Sequence, residues 1–291
     1  MAFFCYDWVV EKGWKEKLKM CDQCKLCLET TDLSESHIIP KMFYRNVVKN
    51  SITGKMRSSL EVNKVVQDGV KLPFLCAECE SLFSKYETHF SNEIYQKLIK
   101  LGDKCEVDTK DDKLRYFILS VAWRFLKWYF EVIPDEQNLT EEEIMKIRET
   151  LEHWRQILLE ENFIEIRKQQ MFLVPYDKIT CLDKYHIKMK NGVAAGFRTL
   201  DSENQFNYAT FSLKVPHLLL MCTIWGKSGQ MKQYIVGKTI KVKDSILPKI
   251  VHAHFQFWEN GFDDTASKIS PEQHNKTKER YEREMNKRGL L

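Results

Sequence analysis

The chain has 291 residues, 45 Lys and Arg against 41 Asp and Glu, and a formal net charge of +4. A 43% hydrophobic content is enough for a real core, and no run of about 18 apolar residues is present, so a membrane span is not expected. The mild basic balance permits nucleic-acid binding without arguing for it. The opening residues, Met1 to Trp8, lack a basic segment followed by an apolar one. The expectation is therefore a cytoplasmic protein whose nine cysteines serve metal binding rather than disulfides.

Residues 1–100 read as short elements around a metal. Cys24-Lys-Leu-Cys27 comes first, Ser36-His37-Ile38-Ile39-Pro40 follows, and Cys76-Ala-Glu-Cys79 closes the set. Two C-x-x-C pairs can complete a closed tetrahedral zinc site. Cys21 forms a second C-x-x-C with Cys24, so the first pair is ambiguous; Cys24 with Cys27 is preferred because it lies nearer the histidine. Between the pairs the chain carries Lys41, Arg45, Lys49, Lys55, Arg57, Lys64 and Lys71 against Glu61 and Asp68. Apolar residues recurring from Leu82 to Tyr95 predict a helix over 81–100.

Residues 103–112 read as a linker. Long helices are expected over 113–168. The first carries Leu114, Phe117, Ile118, Val121, Phe125, Trp128 and Tyr129 on one face and ends at Pro134; the second opens on a Thr140/Glu143 capping box. Trp123 and Arg124 are placed at a junction with the metal module, with core packing as the default. Segments rich in β-branched and aromatic residues between 171 and 243 predict an antiparallel sheet. Ser270-Pro271-Glu272-Gln273 opens a C-terminal helix over 270–288 that is charged nearly all round. The chain thus reads as α+β, with a zinc module over 1–100 and a second domain over 101–291 that offers a surface for a protein partner or a second copy.

Cys-x-x-Cys, then Ser-His-Ile-Ile-Pro, then Leu75-Cys76-x-x-Cys79 and a helix resembles the zinc-stabilised HNH, or His-Me finger, endonucleases over roughly residues 20–95. The resemblance implies a ββα-metal module: a β-hairpin and a helix holding one divalent ion, here Mg²⁺ or Mn²⁺, beside a structural zinc. It implies phosphodiester hydrolysis in nucleic acid, DNA before RNA, in restriction, defence or mobile-element settings. By motif match His37 is the general base. The sequence departs from the pattern in having Ser36 where the family has a metal ligand, Glu80 after the second pair, and no middle Asn. Glu80, with Glu87 two helical turns on, is the candidate oxygen ligand. Lys41, Arg45 and Arg57 are candidate phosphate contacts. The alternative is a zinc-stabilised module that binds nucleic acid or a partner without catalysis. A third reading is a subunit whose C-terminal helix recruits another protein. His89, His252 and His254 are set aside as metal ligands, and no Walker or dinucleotide motif occurs in the remaining chain.

Overall fold

The computed structural model describes residues 2–6, 23–59, 61–100, 106–132, 139–176, 191–200, 208–229, 231–241 and 248–290, with residues 2–6, 132, 199 and 200 described by backbone alone. In chain order the elements are β1 (Ala2–Tyr6), β2 (Leu33–His37), α1 (Lys41–Asn50), β3 (Met56–Ser58), β4 (Val65–Val66), β5 (Lys71–Cys76) and α2 (Ala77–His89). Helix α2 runs on through a wider π-type segment, Phe90–Tyr95, into α3 (Gln96–Lys100). Then come β6 (Glu106–Asp108), α4 (Asp112–Val132), α5 (Glu141–Leu159), α6 (Phe163–Lys168), β7 (Met171–Val174), β8 (Val193–Leu200), β9 (Tyr208–Val215), β10 (Leu218–Trp225), β11 (Thr239–Lys241), α7 (Lys249–Ser267) and α8 (Pro271–Lys287). The class is α+β.

Antiparallel pairing links β8 to β9, β9 to β10 and β10 to β7. The expected sheet is extended from the other end of the chain, because β1 pairs in parallel with both β8 and β3, and β3 carries β4. The result is one seven-stranded sheet in the order β4-β3-β1-β8-β9-β10-β7. A boundary at residue 100 therefore runs through a shared sheet, and one hydrophobic cluster extends from Cys24 to Phe262.

Helix α4 sits at the centre. Leu114, Phe117, Val121 and Phe125 are buried as the pattern predicts, and Tyr116, Leu119, Ala122, Trp123 and Leu126 are buried as well. A helix apolar on every side is one surrounded by protein. It packs against α2, α5, α6 and the β9–β10 part of the sheet. The expected second long helix keeps its capping box at Thr140 but stops at Leu159. Glu161 has φ of 51°, a left-handed conformation that breaks the helix before Asn162 caps α6. Pro134 lies outside the described residues.

Candidate metal centre and the histidine beside it

Two structural corners deliver the four sulfurs. The first is a tight turn at Cys24–Cys27, closed by Leu28 N–H to Cys24 O at 2.9 Å, with Leu28 at φ 65°. Lys25 N–H donates to Phe74 O at 3.0 Å, which fastens this turn to β5. The second corner is the junction of β5 and α2, where Cys76 is the N-cap and Cys79 lies in the first turn. Unpaired amides and the positive end of a helix favour thiolate there.

The four Sγ atoms of Cys24, Cys27, Cys76 and Cys79 lie within 4.8 Å of one another, and Cys27 and Cys76 are 3.9 Å apart. Tetrahedral zinc with bonds of about 2.3 Å requires sulfur separations of about 3.8 Å. The donor set, its spacing and its burial fit a structural metal such as zinc. The Cys24 thiol is pulled down to about 4, chiefly by its hydrogen bond with Cys79, and that same bond pushes the Cys79 thiol up. Burial raises Cys27. Arg155 on α5 donates to Leu26 O at 2.8 Å and holds the first turn from outside. Cys21 lies outside the described residues.

His37 ends β2 opposite Lys71 of β5. Its Nε2 lies 2.9 Å from Asp68 Oδ1, and its side chain is 16% exposed. Desolvation pulls the imidazole below its ordinary value, with Asp68 acting in the opposite direction. Asp68 is held ionised by Lys71, His37 and the Gly69 amide, against its own burial. An ionised Asp68 accepts from Nε2–H, which leaves the Nδ1 lone pair as the basic site. Among the described residues no protein group bonds Nδ1.

Ser36 is fully buried beside it. The register shifts between Ser34 and Glu35, leaving Phe74 as the extra residue on β5, and the neighbouring Leu75 N–H donates to Ser36 Oγ at 3.2 Å. Ser36 Oγ donates in turn to Glu80 Oε2 at 2.8 Å. Residue 36, where the resemblance expects a ligand, is thus joined directly to Glu80 on the helix.

Glu87 is committed elsewhere. Arg124 Nη2 donates to its Oε1 at 2.5 Å, while Nη1 donates to the backbone carbonyl of His37 at 3.1 Å. Arg124 is 1% exposed and lies over the Phe83 ring. Trp123 touches Phe74 and Phe83 edge-on, so α4 closes over the metal module at the expected junction. Among the described residues, only the cysteines form a group of three or more His, Cys, Asp or Glu side chains able to hold an ion.

Lys41 and Lys71 both approach the second oxygen of Asp68, at 3.5 and 3.1 Å. Arg45 is exposed on α1. Arg57 does not sit on the surface as a phosphate contact would; it is 2% exposed and donates to Val62 O, to Gln273 and to Thr277 Oγ1. Of the histidines set aside, His89 pairs with Asp111, and His254 is buried against Ser212. Asp68, bonded to the His37 ring, was not singled out by motif reading, whereas Arg124, expected at the junction, bonds the His37 carbonyl. The signal for Asp68 was its Asp-Gly dipeptide: a Cβ on Gly69 would collide with the Tyr44 ring, so only glycine fits there.

No protein-family model matches the chain, and no curated protein or solved structure matches it. What the geometry defines is an α+β protein with a four-cysteine metal-binding cluster.

Proposed function

We propose that the protein is a metal-dependent endonuclease of the HNH type, hydrolysing phosphodiester bonds in nucleic acid, DNA before RNA. The observation that carries this reading is the strand-strand-helix unit of β2, β5 and α2. It holds His37 at a strand end and Ser36 against Glu80 on the helix, with cysteines pinning both corners.

In this reading His37, kept neutral by desolvation and tautomerically fixed by Asp68, takes a proton from water at Nδ1. Asp68 stabilises the imidazolium that forms. Glu80, with the Ser36 hydroxyl, is the oxygen pair that would hold Mg²⁺ or Mn²⁺; a bound divalent ion supplies charge stabilisation for the leaving oxygen. Arg124 fixes the backbone under His37 and keeps Glu87 out of that ligand set. Lys41 and Arg45 grip flanking phosphates. Zinc, when bound by the four cysteines, supplies folding free energy.

Supercoiled plasmid is expected to be cut with added Mg²⁺ or Mn²⁺, and cutting should fall about 10²–10⁴-fold in His37→Ala at unchanged melting temperature. Asp68→Asn removes the charge that raises His37, so the acid limb of the pH profile should move to lower pH. An uncut plasmid at every ion tested would overturn the enzymatic reading.

The second reading, a module that binds nucleic acid or a partner without catalysis, is favoured by one observation. Glu87 is neutralised by Arg124, which leaves Glu80 the only carboxylate of the expected pair free for an ion. A gel shift without cleavage supports it.

A further inference from the structure

A shallow open cleft lies between β3–β4 and the C-terminal helix α8, lined by Thr53, Lys55, Met56, Arg57, Val65, Thr277 and Arg280. It holds three cations and no carboxylate. Arg57 is the unusual member. Its partners among the described residues, Val62 O, Gln273 and Thr277 Oγ1, are all neutral. A buried cation is ordinarily paired with an anion, because dehydration penalises the bare charge. Burial, together with repulsion from the Arg280 charge, pulls its pKa down. Lys55 and Arg280 have no acidic partner among the described residues either, although α8 carries Glu272, Glu279, Glu282 and Glu284. Glu272, Glu282 and Glu284 pair instead with Lys276, Lys278 and Lys287 along the helix.

Three like charges converging on a cleft without a counter-ion describe a place for an anion. The helix that contributes Arg280 has no buried residue of its own and is tied down here by Arg57 and by Asn63, whose side chain accepts from Ser270 N–H at 2.8 Å. Its docking thus brings the cations together.

We propose that this cleft binds a backbone phosphate of nucleic acid, with Lys55 and Arg280 contacting the oxygens and Arg57 supplying fixed positive charge from beneath. The proposal rests on the nucleic-acid reading above and adds to it a second anchoring point outside the β2–β5–α2 unit. The cleft is shallow and open to solvent, so a phosphate would sit at its mouth rather than within it. Such a contact is blind to sequence, adds affinity and fixes register.

The test is fluorescence anisotropy of a labelled duplex of random sequence, and of the RNA of the same sequence, across a salt series without added Mg²⁺ or Mn²⁺. The proteins are the full-length chain, Lys55→Gln, the double variant Lys55→Gln/Arg280→Gln, and Lys146→Gln on α5, a helix that does not line the cleft. Binding about tenfold weaker in the double variant, with a salt slope shallower by about two and by about one in Lys55→Gln, supports the proposal. Lys146→Gln should bind like the wild type. If the wild type binds and the double variant binds equally, the cleft proposal falls and the nuclease reading stands. If the wild type binds neither nucleic acid, both fall. Stabilisation of the wild type by inorganic phosphate that DNA does not compete away would also overturn the proposal, since the cleft would then serve a free anion.

Discussion

Replacing Arg124 by Met keeps the side-chain stem against Phe83 and deletes the guanidinium. The structure gives the losses. The 2.5 Å ion pair with Glu87 disappears, as does the 3.1 Å bond to His37 O and the cation over the Phe83 ring, 5.1 Å from its centroid. Removing one partner of a buried pair costs about 3–5 kcal/mol, but Glu87 is 24% exposed and water recovers part of that, which leaves about 2 kcal/mol. The bond to the carbonyl adds about 1 kcal/mol and the ring contact about 1 kcal/mol. Arg124→Met should therefore destabilise by about 4 kcal/mol. Glu87→Gln leaves a wholly buried guanidinium without its counter-charge and should cost about 3 kcal/mol. Because the two act on one interaction, the double variant should be less destabilised than the sum by about 2 kcal/mol. Urea unfolding midpoints of the four zinc-loaded proteins close the cycle. Additivity to within about 0.5 kcal/mol would refute the pairing and return Glu87 to the set of free carboxylates.

The metal centre predicts about one zinc per chain by elemental analysis, lost in Cys76→Ser together with the folding of the Cys24–Cys27 turn and the start of α2; no zinc in the purified protein would remove the cluster from the account. Gly69→Ala drives a Cβ into the Tyr44 ring and should cost about 1–3 kcal/mol in thermal or urea unfolding, with Asp68 displaced from His37. His254 is wholly buried and its pKa is pulled down to about 3 by desolvation. Above pH 6.5 it is neutral folded or unfolded and costs nothing. Below that only the unfolded chain takes up the proton, so stability is lost progressively down to about pH 3. At pH 4.5 the loss is about 3 kcal/mol relative to pH 7, and His254→Gln should flatten that part of the pH dependence.

Local signals were legible where one residue type has one structural job. The capping box at Thr140, the Ser270-Pro271 helix start and the paired cysteines are satisfied within a few residues of chain, and each stands where the pattern put it. Strands β9 and β10 and the start of β7 were equally plain, being β-branched and aromatic between turns. Helix α7 was missed although Ile250, Val251, His254, Phe255, Trp258 and Phe262 recur at helical spacing and are buried; its start at Pro248 has no side-chain cap to announce it. The break at Glu161 was missed even though Asn162, a favoured N-cap residue with Glu165 three residues on, marks the start of α6. Likewise, nothing in residues 2–6 or 56–58 announces that β1 and β3 join a sheet built mostly after residue 170, because parallel pairing across that distance is decided by which edges are left open.

That shared sheet changes what residues 101–291 do for the site. Had they formed an independent domain, the geometry around His37 would depend on β2, β5 and α2 alone. Instead Arg124 bonds the His37 carbonyl from α4, Trp123 packs on Phe74 and Phe83, and Arg155 holds the turn at Leu26 from α5. The cysteine cluster fixes the two ends of the unit, while the helices behind it fix its middle. Two consequences follow from this division. Metal removal should loosen the Cys24–Cys27 turn and the start of α2, and α4 contacts should persist in part. Substitutions in α4 should do the reverse, disturbing His37 with the sulfur cage intact, so zinc content and His37-dependent properties are expected to separate in the Arg124→Met protein.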